Sequence, residues 1–295
     1  MAKSKGFFGL RRGSTKSLTF QVLNGKQITK DRVSDVKNPR TTQQMGQRVI
    51  LATASAAYSH MRQIVDHSFE GISYGQNSMS FFTSKNAELL KASAAALDGK
   101  FGFNAYRDRT LKKGVYLMAQ GSLPEPDFKH TVETSAGAIT ISLNDITAAG
   151  AAPTANELAS FLGLSIGEMV TICFIAESSV EGENIFGFVR IKMVQGADTV
   201  LTAANFEDYF VVESTQPGET ITVNATSVVL AFTGRVVADN YVQHCAIYSR
   251  QTAQGWLRSK AVMNLPLGGD FELGYNEALA TFPGGKSYVL NGGNF

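Results

Sequence analysis

From about residue 111 onward the chain is cut into short runs rich in β-branched and aromatic residues, at 113–119, 137–143, 168–177, 185–195, 207–213, 219–224, 227–236, 241–249 and 256–263. Runs of this kind, bounded by turn residues, have the length and spacing of antiparallel strands. They predict a mainly antiparallel β-sandwich, jelly-roll or immunoglobulin-like, over residues 111–295. One helix interrupts the series. Thr154 caps it, Glu157 completes a capping box, Leu158 and Phe161 face inward, and Gly163 ends the turn.

The first 110 residues read differently. Leu18, Phe20 and Val22 alternate with Thr19 and Gln21, Asn24-Gly25 follows, and Ile28 and Val33 lie in the next extended run. Asn-Gly between two such runs is a hairpin signal, because a type I′ turn needs positive φ at both central residues. A β-hairpin is expected over 17–33, with Lys26, Lys30 and Arg32 evenly spaced along one face of its second strand. Thr41 and Gln44 have capping-box spacing, and Leu51, Ala54, Tyr58, Met61 and Val65 recur at helical spacing, predicting a helix over 41–66. A second helix, roughly 78–95, carries Met79, Phe82, Leu89 and Leu90 and is expected to pack against the first. Residues 99–110 read as an irregular linker with exposed aromatics. Phe101, Phe103 and Tyr106 beside Arg107 and Arg109 could stack on bases, although anchoring a loop to its own domain is the commoner role of such a segment. The expected class is α+β, with a basic N-terminal arm, hairpin and helical region at 1–110 followed by the sandwich domain at 111–295.

At 295 residues with 44% hydrophobic content, the chain can form a core without metals or disulfides. Cys173 and Cys245 are its only cysteines, too few for a disulfide framework, and read as two isolated buried thiols. The N-terminus lacks the apolar core of a secretory signal and no window reaches the length of a membrane span, so synthesis in the cytoplasm is expected.

Charge is strongly segregated. Residues 1–50 hold eleven Lys and Arg against Asp31 and Asp35, a net +9, while the other 245 residues hold 16 basic and 23 acidic groups, a net −7. A cationic segment of this kind suits the phosphates of a nucleic acid or the acidic body of a neighbouring copy. The candidate cationic contacts are Arg11, Arg12, Lys16, Lys26, Lys30 and Arg32, and Phe7 and Phe8 are candidate assembly anchors.

Catalytic signatures are missing from the sequence. His60, His67, His130 and His244 have no metal-ligand spacing and read as surface or capping residues. There is no nucleophile elbow, phosphate-binding loop or dinucleotide fingerprint, and the carboxylate pairs Glu181/Glu183 and Glu207/Asp208 fall in turns or strand starts. The expectation is a non-catalytic protein without metal or cofactor, set against a hydrolase assembled from residues distant in sequence.

Several stretches resemble proteins of unassigned function from Bacteroidota and their gut bacteriophages. They are Gly6 through Phe20, Lys37 through Gln44 with Gln47-Arg48, Asn77 through Phe82, Gly255 through Ser259, and Leu290 through Gly293. The resemblance covers both ends of the chain, and residues about 145–165 depart from the shorter members. It carries no catalytic residues and implies a virion component made in the host cytoplasm. The resulting expectation is a self-assembling phage structural protein, a homo-oligomer whose basic arm meets nucleic acid or an adjacent subunit. A free nucleic-acid-binding protein is one alternative. Another is a surface adhesin or carbohydrate binder, for which the lone Trp256 is a thin basis because a single Trp is more often core.

Overall fold

The computed structural model describes residues 3–4, 11–23, 26–32, 41–96, 102–104, 108–147, 150–180, 183–238, 242–253, 255–264 and 278. The chain forms two compact units, Met1–Thr41 and Thr42–Phe295.

In the first unit, β1 (Lys3–Ser4), β2 (Arg11–Ser14), β3 (Leu18–Leu23) and β4 (Lys26–Asp31) form an antiparallel meander in sequence order. The expected hairpin is β3–β4, paired from Leu18 with Asp31 to Leu23 with Lys26; Asn24 and Gly25 lie outside the described residues. Side chains alternate across a pleated strand. The register therefore sets Leu18, Phe20 and Val22 on one face, and Lys26, Ile28 and Lys30 with Thr19 and Gln21 on the other. Thr15 makes the β2–β3 turn, its N–H donating to the Leu18 carbonyl at 2.7 Å while its hydroxyl accepts from the Leu18 N–H at 3.2 Å.

The second unit runs α1 (Thr42–Val65), α2 (Gln76–Ala96), β5 (Leu117–Ala119), β6 (His130–Ser135), β7 (Ala138–Leu143), α3 (Ala155–Leu162), β8 (Met169–Glu177), β9 (Asn184–Met193), α4 (Phe206–Tyr209), β10 (Phe210–Ser214), β11 (Thr220–Val223), β12 (Val228–Thr233), β13 (Gln243–Thr252), β14 (Gly255–Arg258) and β15 (Ala261–Val262). Its strands form a five-stranded sheet ordered β10-β9-β8-β13-β14, a four-stranded sheet ordered β11-β12-β7-β6, and the pair β15-β5. The fold is α+β with mainly antiparallel sheets. The contacts group residues 42–96 with the strands that follow, whereas the expected boundary near 110 rested on a change in sequence texture.

The central strand β8, with sequence Met-Val-Thr-Ile-Cys-Phe-Ile-Ala-Glu, is apolar on both sides. A strand covered on both faces needs such a run rather than alternation. Val170, Ile172, Phe174 and Ala176 join Ile139, Ile141, Leu143, Val228, Leu230 and Phe232 of the four-stranded sheet and Leu158 and Leu162 of α3 in one buried cluster. From the other face, Cys173 and Ile175 join Met45, Val49, Met61, Phe82 and Leu90 of the two helices. Across the β8–β9 pair the Phe174 ring lies over Gly187, directly opposite, where a Cβ would fall 2.3 Å from the ring. The capping box on α3 forms as expected: Thr154 Oγ1 accepts from the Glu157 N–H at 3.2 Å, the Glu157 carboxylate accepts from the Thr154 N–H at 2.7 Å, and Gly163 closes the helix at φ 65°.

Buried amides complete the irregular backbone between the helices and the sheet. Asn86 Oδ1 accepts from the Leu117 N–H at 2.7 Å and its Nδ2 donates to the Leu117 carbonyl at 3.2 Å. Gln243 does the same for Gly114, accepting at 2.8 Å and donating at 3.1 Å. These pairings satisfy groups that no strand partner reaches. The linker aromatics are not all exposed as expected: Phe103 is fully buried in the helical cluster, and Asn104 N–H donates to Thr53 Oγ1 at 2.9 Å. At Phe103, therefore, the segment is an anchor. Among the described residues, no helix is long and apolar enough to cross a membrane.

Candidate functional site

The first candidate site is the basic face of the N-terminal sheet. Arg12, Lys16, Lys26, Lys30 and Arg32 are all exposed. Lys26 and Lys30 share a face of the edge strand β4, as their even spacing predicts. Arg12 pairs with Lys3 across β1–β2, which adds further positive charge to the sheet. Arg32 closes the hairpin, its backbone N–H donating to the Ser17 carbonyl at 2.6 Å and its Nη1 to the Thr15 carbonyl at 3.2 Å. Among the described residues, no ion pair neutralises Arg12, Lys16, Lys26 or Lys30. Arg11 belongs to β2, whereas Phe7 and Phe8 lie outside the described residues. The unit Met1–Thr41 holds ten Lys and Arg against two Asp, a net +8, and Thr42–Phe295 holds 17 against 23, a net −6.

A second site was not legible as a motif. The helix-facing side of the five-stranded sheet is apolar beneath α1 and α2 but turns polar beyond the last turn of α1. Register explains the change. One row reads Arg190, Thr171, Ile247 across β9, β8 and β13, and the next reads Met169, Ser249, Arg258 across β8, β13 and β14. Gln63, Ile64 and His67 of the α1 end and Trp256 of β14 complete a cleft of about 340 Å³. The Arg258 guanidinium lies over the Trp256 ring at 4.9 Å, and its Nε donates to the His67 carbonyl at 3.1 Å. Among the described residues, its Nη1 is buried with no hydrogen-bond partner. Burial first, and then the field of Arg190, lowers the Arg258 pKa to about 10. Trp256 is 38% exposed and is not the core residue that its rarity suggested.

Other candidate groups have been drawn into structure. Cys173 and Cys245 are buried and free but not isolated, because the β8–β13 register sets them directly opposite each other. A hydrogen bond to Cys245, together with burial, pushes the Cys173 thiol well up, leaving it a poor nucleophile. His130 and His244 are neither surface nor capping residues. Their rings meet between β6 and β13, with nitrogens 3.1 Å apart and centroids at 4.8 Å. Asp66 accepts from Tyr58, from Arg62 Nε at 3.0 Å and from the Gly75 N–H at 3.3 Å, fastening the end of α1 to the loop before α2. Among the described residues, no group of three or more His, Cys, Asp or Glu is placed to hold a metal ion.

No protein-family model, curated protein or solved structure matches the chain.

Proposed function

We propose that this protein is a non-catalytic structural component of a bacteriophage virion, made in the host cytoplasm and self-assembling through its β-rich unit. In this reading the basic N-terminal unit contacts nucleic acid or a neighbouring subunit, and the two facing sheets form a sandwich of the jelly-roll or immunoglobulin-like kind. The observation that carries the reading is the coincidence of charge with architecture: the +8 and −6 charges divide at the boundary between the two compact units. Opposite net charges on separate units favour contact between copies and attraction of phosphate to the basic one. Lysines on an edge strand also oppose strand addition, so the contact supported at β4 is electrostatic rather than a sheet extension. The virion assignment itself is drawn from the expected resemblance of both chain ends to phage-encoded sequences.

The test is charge reversal in the full chain, Lys26→Glu with Lys30→Glu. If the face binds nucleic acid, oligonucleotide affinity falls steeply with salt, and the double variant reduces the logarithmic salt slope by about two. If the face binds a neighbouring subunit, the variant lowers the native mass instead. A variant unchanged in both properties would contradict the role given to the basic unit.

A further inference from the structure

The cleft between the end of α1 and strands β9, β8, β13 and β14 carries an inference independent of assembly. Two guanidiniums, Arg190 and Arg258, stand on one face of the sheet at opposite sides of a floor made by Thr171, Ile247 and Ser249. Among the described residues, Arg258 has no carboxylate in ion-pair contact, and Arg190 is paired only at an exposed edge. Arg190 meets the exposed Glu213 at 2.8 Å and Thr171 Oγ1 at 3.4 Å. Glu70, whose charge acts on Arg258 without a direct ion pair, accepts at Oε1 from the backbone N–H groups of Ser122 and Arg258, at 3.1 and 2.5 Å. That leaves a buried Nη1 without an acceptor among the described residues, while Arg258 itself lines the cleft, where its guanidinium can meet an oxyanion.

The remaining lining narrows the ligand. Trp256 offers a partly exposed ring, and Gln63, Thr171 and Ser249 offer amide and hydroxyl groups of the kind that meet sugar hydroxyls. About 340 Å³ is at the small end of ligand sites, enough for one or two sugar rings. The net −6 of the surrounding unit opposes a long polyanion such as nucleic acid, so local positive charge here suits a small acid. We propose that this cleft binds a small acidic sugar, with its carboxylate or phosphate between Arg190 and Arg258 and its ring against Trp256.

Trp256 is the only tryptophan in the chain, so its emission reports the cleft directly. The experiment titrates the full chain with glucuronic acid, glucose 6-phosphate, glucose and inorganic phosphate at fixed ionic strength. At least one acidic sugar should change the emission saturably, binding about tenfold or more tighter than glucose and inorganic phosphate, as expected for one charge-assisted contact. Whichever acid binds more tightly identifies the oxyanion as carboxylate or phosphate. Arg190→Gln, with unchanged circular dichroism, should weaken binding about tenfold, and Arg258→Lys, which keeps the charge but loses the fork, should weaken it as well. The proposal is overturned if neither acid gives a saturable change, if glucose or inorganic phosphate binds as tightly as the acids, or if folded Arg190→Gln keeps full affinity.

Discussion

His244 Nδ1 stands 3.1 Å from His130 Nε2, joining β13 of the five-stranded sheet to β6 of the four-stranded sheet. His130 Nδ1 lies 3.3 Å from the Phe128 carbonyl, which can only accept, so that nitrogen carries the proton and Nε2 is left to accept from His244. His130 is therefore neutral in the native pair. Burial, and then the neighbouring His130, lowers His244 from an ordinary 6.5 to about 4, while burial lowers His130. A base with a depressed pKa stabilises the native state fully above its unfolded value. That stability is lost as pH falls from 6.5 towards 4, and the loss levels off below 4. His244 alone is worth on the order of 3 kcal/mol across this window. Urea midpoints should fall between pH 6.5 and 4, and His244→Gln should flatten that part of the curve. An unchanged slope in the variant would remove the pair from the explanation.

Across the β8–β9 pair, Gly187→Ala should destabilise the protein by about 2 kcal/mol through overpacking against Phe174, whose ring is fully buried. Adding Phe174→Leu to the alanine variant should recover part of the loss. Thermal denaturation of the single and double variants checks the coupling.

Replacing Asn86 by Leu removes the acceptor and donor that serve the Leu117 backbone. With both groups left buried and unpaired, the expected loss is roughly 3 kcal/mol, greater than a volume change alone would give. Amide hydrogen exchange should show faster exchange at Leu117 in a milder variant, Asn86→Ser.

Thr154→Ala removes the side-chain half of the α3 capping box while its backbone N–H can still donate to Glu157, and should lower stability by about 1 kcal/mol, with little effect on the nucleic-acid or subunit contacts assigned to the other unit. Denaturant unfolding and a binding titration on the same sample separate the two effects.

The features legible in the sequence were those written in local chemistry. Alternation and Asn-Gly marked the β3–β4 hairpin, helical spacing marked α1 and α2, and Thr154, Glu157 and Gly163 marked both ends of α3. β6 was missed because Val132 is its only aliphatic side chain, set in the polar run His-Thr-Val-Glu-Thr-Ser. The run at 207–213 has the composition of a strand throughout, although its first residues make the single turn α4 before β10. The basic face was visible because its lysines share one strand. The cleft was not, because Arg190 and Arg258 are 68 positions apart and meet only through the β9-β8-β13-β14 register. The histidine pair was hidden for the same reason, since its partners come from different sheets.

Self-assembly is decided by the native mass of the purified full chain in light scattering. A defined oligomer is expected, with a mass that is a multiple of 31.7 kDa. A stable mass of one chain at the highest concentration reached would contradict it.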